Sequence, residues 1–363
     1  MADKSHIEWT DATWNPITGC SVVSPGCTNC YAMKLAGGRL QHHASRAGLT
    51  KPSKAGPVWT GEVRLNEGWL SQPIHWKKPR RIFVCAHGDL FAEGVPDAWI
   101  DMVVAIMHLS PWHTYQVLTK RPERMRKYFD RLATNLHDRL VATGVYDVFP
   151  DGVNLPLPNV WLGVSAENQS TWDARVPELL WTIAAKRFVS AEPLLGPIDP
   201  GPIGVLGGHA EVHPLCWDTE CEDDDGEEFP DVPPLDWIIV GGESGAGARP
   251  MHPDWVRRLR DACEAEVVDF FFKQWGAWKE AFHDEDGPSV DLIDADSDTA
   301  DSIMVLFAGR ETTFLNADGR SFHGHYENLP ADTPWRLMVR APKGENGRRL
   351  DGVEHNAMPE VQA

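Results

Sequence analysis

The stretch VWLGVSAENQSTWDARVPELLWTIAAKRFVSAEP, Val160 to Pro193, decides the fold. VWLGV and RFVS are continuous apolar runs rich in β-branched and aromatic residues, the pattern of strands buried on both faces. Between them TWDARVPELLWTIAA has helical spacing, with Ser170 standing where a cap is expected. Strand, helix and strand at this spacing form a crossover unit, which makes the two strands parallel.

Outward from this unit the pattern recurs in IFVCA from Ile82, YQVLT from Tyr115, WIIVG from Trp237 and VDFFFK from Val268. Pro122 sits at the first helical position of PERMRKYFDRLA, and Pro253-Asp254 opens DWVRRLRDACEAE. An α/β chain with a parallel sheet is the expected class. Polar groups follow each strand: Asp89 in HGD, Lys120-Arg121, Ser165 and Glu167, Ser190 and Glu192, then Gly241, Gly242 and Glu243, and finally Gln274. The carboxyl ends of parallel strands are where such sheets gather their chemistry, so these residues form one candidate site. A structural ion pair or helix cap is an equal reading for any one carboxylate alone.

The 363 residues carry 34 basic and 53 acidic side chains, a formal charge of −19. Nine carboxylates fall between Asp218 and Asp231 and eight between Asp284 and Asp301, with no Lys or Arg in either run. The remainder holds 36 acids against 34 bases, so the net charge does not argue against a nucleic-acid partner. At 42% hydrophobic and 24% charged the chain is globular, which excludes disorder and collagen-like repeats for most of it. The longest mainly apolar stretch, Met102 to Leu109, is too short to span a bilayer, and the opening MADKSHIEW has no apolar signal core. No membrane partner and a cytoplasmic location are expected. The acidic runs mark an insertion at 200–235 and an irregular segment from 281. The expected organisation is therefore a β/α domain over 1–280 and an acidic, irregular C-terminal extension over 281–363. Its closing WRLMVRAPKGENGRRLDG turns basic and is expected to pack back on the main domain or meet a partner.

Seven cysteines without a signal segment argue against a disulfide scaffold. Cys20, Cys27 and Cys30 stand in a C-x6-C-x2-C arrangement within NPITGCSVVSPGCTNCYA. Such spacing turns three thiolates toward one metal centre, one ligand short of closure. A structural zinc would take its fourth ligand from His42, His43, Cys85 or His87. An iron-sulfur cluster would keep one iron open. Spacing serves both equally, with unligated buried thiols as a third reading.

IEWTDATWNPITGC, GCTNCYA, HGDLF, VLTKRPERM, WLGVSAEN, FVSAEPLLGPI, IIVGGESGAGARPMHPDW and GRRLDG, in this order, resemble a family of phage and prophage three-Cys-motif proteins. That family is regarded as similar to radical S-adenosylmethionine (SAM) enzymes. The resemblance runs from about Ile7 to Gly352, outside the acidic runs. It implies a partial parallel (β/α) barrel with a [4Fe-4S] cluster in the loop after its first strand. Cys20, Cys27 and Cys30 would hold the cluster. The open iron would chelate SAM, and one electron would cleave SAM to methionine and a 5′-deoxyadenosyl radical. The spacing departs from the commonest radical SAM pattern, three residues then two, and Asn29 stands where an aromatic residue often precedes the last cysteine. SAM binding calls for carboxylates, a cation and hydrogen-bonding groups on several strands, which Asp89, Lys120, Ser165, Glu167, Glu192, Gly241, Gly242 and Glu243 would supply. An external electron donor is then expected, with the substrate unknown.

Three further features bear on partners. His209, His213, Cys216 and Cys221 lie within thirteen residues of the insertion and are zinc-competent, against coincidence in an acidic loop. Trp76 to Arg81, and Lys120-Arg121 with Arg124, Arg126 and Lys127, are basic stretches that make nucleic acid a candidate substrate, against a solvated face that balances local acids. Gly241 to Gly247 reads as a tight strand-to-loop turn, because it lacks the Lys and spacing of a phosphate loop. The competing functional readings are a radical SAM enzyme, a non-catalytic zinc-binding interaction protein, and a cluster-bearing nucleic-acid factor that leaves SAM intact.

Overall fold

A computed structural model describes residues 5–145, 154–204, 211–216, 232–281, 307, 309–324, 326–330, 334–341 and 345–361. Seven strands form one sheet: β1 (Ala12–Trp14), β2 (Arg81–Val84), β3 (Thr114–Thr119), β4 (Val160–Ser165), β5 (Lys186–Ala191), β6 (Trp237–Gly241) and β7 (Asp269–Gln274). They lie side by side in chain order, and every neighbouring pair is parallel. The six apolar runs are therefore strands. The seventh, β1, has only three residues, too few for a periodicity to declare itself.

The two faces of the sheet are both apolar, for different reasons. Val84, Val117, Leu162, Val164, Val189, Ile238 and Phe272 share one core with the helices. These include α1 (Asp97–Leu109), α2 (Pro122–Thr134), α3 (Gln169–Leu180) and α4 (Pro253–Ala265). Trp9, Phe83, Trp161, Phe188, Trp237 and Phe271 form a second core on the opposite face without a helix. The Trp9 ring lies 4.9 Å from Phe83 of β2 and 6.1 Å from Trp237 of β6. In a flat sheet four strand spacings would hold β2 and β6 about 19 Å apart. One indole meets both because the sheet curls into a half-barrel, with aromatic rings filling its concave side.

α3 begins two residues earlier than a cap at Ser170 would give. Asn168 is the cap: its side chain accepts from the Thr171 amide at 3.1 Å, and the Thr171 hydroxyl reaches back to the Asn168 amide. An amide oxygen at 168 closes a reciprocal capping box that Ser170, already inside the first turn, cannot make.

The extension expected to be irregular contains regular structure, and this corrects that part of the reading. β8 (Trp278–Glu280), β9 (Thr312–Asn316), β10 (Ser321–Phe322) and β11 (Trp335–Arg340) form an antiparallel sheet in the order β8-β11-β9-β10. Phe314, Trp335, Leu337 and Val339 supply its apolar face. The alternation in WRLMVR carries that face, which an acidic surrounding composition obscures. Beyond it the chain returns to the half-barrel. His355 O accepts from Phe272 N at 3.0 Å, and Ala357 O accepts from the Trp237 indole at 2.9 Å. The tail thus covers the free edge at β7, which would otherwise present unpaired backbone groups. Among the described residues no helix is long and apolar enough to cross a membrane.

Candidate active site at the half-barrel mouth

The loop after β1 carries Cys20, Cys27 and Cys30 across the carboxyl ends of the strands. All three cysteines line a cavity of about 600 Å³, together with Asp89, Lys120, Ser165, Glu192, Gly242 and Glu243. Glu167 and Gly241 lie outside its lining. Glu167 is fully buried behind the loop, and Gly241 underlies Glu192, whose Oε1 would stand 2.5 Å from an added Cβ.

Three of the four strand-end carboxylates are committed to holding the cysteine loop. Asp89 accepts from Thr119 Oγ1 at 2.7 Å, Phe91 N at 2.9 Å, and Lys120 N and Arg121 Nη1 at 3.1 Å each. The same Arg121 Nη1 lies 3.3 Å from Cys20 Sγ, and Nη2 donates to Ser21 O at 3.0 Å. Glu167 pairs with Lys120 and with Arg175 at 3.0 Å, and accepts from the Ser24 hydroxyl at 2.8 Å. Glu243 accepts from Asn29 Nδ2 at 3.0 Å and takes a two-point contact from Arg249 at 2.6 and 2.9 Å. Arg249 Nη2 in turn donates to Pro25 O at 3.1 Å. One strand end fastens Cys20, one the middle of the loop, and one the segment from Pro25 to Asn29.

The contact is close enough to require glycine at 26. An added Cβ there would stand 2.2 Å from Glu167 Oε1, well inside any tolerated separation. The fourth carboxylate behaves differently. Glu192 is bound by Lys273 at 2.9 Å and keeps a face on the cavity, so this pair is what the mouth offers a ligand. Gly245 and Gly247, with φ of 89° and 73°, turn the chain after Glu243. This brings Ala246 O and Gly247 O to Lys34 and Asn29 of the cysteine segment, which accounts for the glycine-rich run as a turn.

The electrostatics follow from burial. Desolvation, with the Asp89 charge adding to it, pushes the Cys20 thiol up to about 12, against the Arg121 guanidinium, which favours thiolate. Burial also raises Cys30, opposed by the amides of Met33 and Ala32. Burial alone would raise Glu167 and Glu243, but the Lys120 and Arg175 charges on the first and the Arg249 hydrogen bonds on the second hold both below the usual carboxylate value. The carboxylates are therefore ionised and fixed, and both shifted thiols are protonated at neutral pH.

A tetrahedral zinc, with Zn–S about 2.3 Å, would set its sulfur ligands about 3.8 Å apart. Among the described residues the trio of metal-competent atoms lying within 4.8 Å of one another is His213, Cys216 and Glu266, far along the chain. Cys20, Cys27 and Cys30 do not all fall within 4.8 Å of one another, nor does a set of three drawn from them with His42, His43, Cys85 or His87. Of those four, Cys85 alone lines the cavity. His87 Nδ1 lies 2.6 Å from Arg46, and His43 Nδ1 lies 2.7 Å from Ser45 Oγ.

The basic stretch that begins at Lys120 is internally neutralised. Arg126 pairs with Glu178 at 2.7 Å, Lys127 with Glu123, and Arg124 with Asp97 at 3.6 Å. Arg175, Arg249, Ser24 and Lys273 are the site residues that sequence reasoning did not single out. Arg121 and Arg249 lay inside quoted motifs, but their roles depend on which carboxylate they reach.

Fold and site together define a parallel half-barrel protein with a three-cysteine loop clamped over its mouth. The chain belongs to the family described as "Protein of unknown function (DUF5131)", which matches residues 4–359. No curated protein and no solved structure matches it.

Proposed function

We propose that this protein is a radical SAM-type enzyme whose Cys20, Cys27 and Cys30 hold a [4Fe-4S] cluster. The carrying observation is the clamped loop itself: its three thiols open together on a cavity of about 600 Å³ at the strand ends. Thiolates are the donor set of iron-sulfur clusters, so the residues fit the group. A bound cluster with an open iron would supply the electron for reductive cleavage of SAM.

The chain's own residues have distinct tasks in this reading. Arg121 donates to the Cys20 sulfur, a contact that raises the potential of a bound cluster. Glu167 and Glu243 keep the loop seated, and Glu192 with Lys273 presents a carboxylate and an ammonium to a zwitterionic ligand. The aromatic floor at Trp9 and Phe83 keeps water from the inner face of the cavity. An external one-electron donor completes the scheme, with a nucleotide or nucleic acid as the candidate substrate.

Anaerobic reconstitution followed by iron and sulfide analysis tests the cluster. Iron near four per chain and a brown colour are expected, and a colourless protein overturns the reading. Release of 5′-deoxyadenosine from SAM under a strong reductant tests the chemistry; a brown protein that leaves SAM intact would favour the nucleic-acid factor instead.

A further inference from the structure

At the opposite pole of the half-barrel, the insertion and the end of α4 bring three metal-competent groups together. His213 and Cys216 lie on the turn after a short strand, Glu211–Val212, and Glu266 is the residue that ends α4. A ligand atom from each falls within 4.8 Å of the other two, and His213 and Cys216 are half-buried. We infer that His213, Cys216 and Glu266 form a zinc site that staples the insertion to the main domain.

Both sides of the trio are held in place. Between His213 and Cys216, Leu215 is buried in the main core and Pro214 O accepts from Leu235 N at 2.8 Å. His213 Nδ1 accepts from the Leu215 amide at 3.4 Å, a long contact that places the neutral ring's proton on Nε2 and that metal binding through Nε2 would release. On the other side Val267 has φ 58°, a conformation that β-branched residues rarely adopt, and it is 93% exposed. The helix ends at Glu266, where Val268 N donates to Cys263 O at 2.9 Å.

An imidazole, a thiolate and a carboxylate are the donor classes of zinc, and three of them leave a fourth position to water. Of the four insertion residues with metal-ligand chemistry, His209 and Cys221 lie outside the described residues. Glu266, from the end of α4, joins His213 and Cys216 as a third donor. This site shares no residue with the cysteine loop and does not depend on the reading of that loop.

Cobalt(II), added anaerobically to the full chain, is the probe. A thiolate-to-metal charge-transfer band should appear, persist in Cys27→Ser, disappear in Cys216→Ser and weaken at least tenfold in affinity in Glu266→Gln. In the unaltered protein, zinc should protect Cys216 from alkylation, read peptide by peptide, and raise the melting temperature. A band insensitive to Cys216→Ser, or Cys216 alkylated equally fast with and without zinc, overturns the assignment. The protection measurement needs no variant and stands even if a substitution unfolds the insertion.

Discussion

Arg121 Nη1 lies 3.3 Å from the sulfur of Cys20 and 3.1 Å from Asp89 Oδ2, so one guanidinium nitrogen faces both a cavity-lining thiol and a buried carboxylate. Replacing Arg121 with Gln leaves Asp89 buried without its cation. Breaking such a pair costs about 3 kcal/mol, and denaturant midpoints should fall accordingly. The Cys20 thiol, already pushed up to about 12, loses the charge that favours its thiolate. Alkylation of Cys20 should therefore be slower in Arg121→Gln at every pH below that value. An unchanged rate would show that Arg121 acts on the fold alone.

Gly26→Ala tests whether the loop must press on Glu167. The added methyl would stand 2.2 Å from a carboxylate fixed by Lys120 and Arg175, so the loop has to move rather than the glutamate. Iron retained after reconstitution should drop severalfold, with a much smaller change in melting temperature because the strands are untouched. Full iron retention would mean that the loop tolerates displacement.

Glu192 is the strand-end carboxylate left to a ligand, paired with Lys273 at 2.9 Å. Glu192→Gln should keep its iron and its fold yet bind SAM about tenfold more weakly, which corresponds to about 1.4 kcal/mol. Equilibrium dialysis against SAM, alongside iron analysis of the same sample, separates the two effects. Equal affinity in the variant would remove Glu192 from the ligand site.

The clamps also set the acid limit of the protein. Burial would raise Glu93, but its hydrogen bonds from Arg121 and Ser21 bring it down to about 2, and Glu167 and Glu243 are lowered from 4.5 as well. Groups depressed in the folded state contribute stability that is fully present above their unfolded value. That stability is lost as pH falls through the folded values. Melting temperature should hold down to about pH 5 and fall between there and pH 2, and in Glu243→Gln the decline should be shallower from a lower starting point.

The six longer strands were legible because burial on both faces writes itself as continuous apolar sequence, as in WIIVG at Trp237. ATW at β1 is too short to do so. The ring of strand-end polar residues was legible as a set, but its division of labour was not. Nothing in SAEN separates the fully buried Glu167 from Glu192 in the similar SAEP, because the difference is made by Ser24, Lys120 and Arg175 arriving from distant segments. The zinc-competent pair His213 and Cys216 was visible in sequence, whereas Glu266, fifty residues on, becomes their neighbour only through the fold.

Val267 offers a test of backbone strain that is independent of any ligand. Val268 N donates to Cys263 O at 2.9 Å, the bond that closes a helix end around a left-handed residue, and Val267 occupies that residue's place with φ 58°. Glycine is the usual occupant because it has no Cβ to clash there. At 93% exposure the valine side chain contributes almost no burial to offset the strain. Glycine also enlarges the entropy of the unfolded chain, which costs about 0.5–1 kcal/mol, while relief of the left-handed conformation returns about 1–2 kcal/mol. Val267→Gly should therefore stabilise the protein by about 0.5–1 kcal/mol, read as a higher denaturant midpoint with unchanged slope. A lower midpoint would mean that the rigid turn at Glu266 is worth more to the fold than the strain it carries.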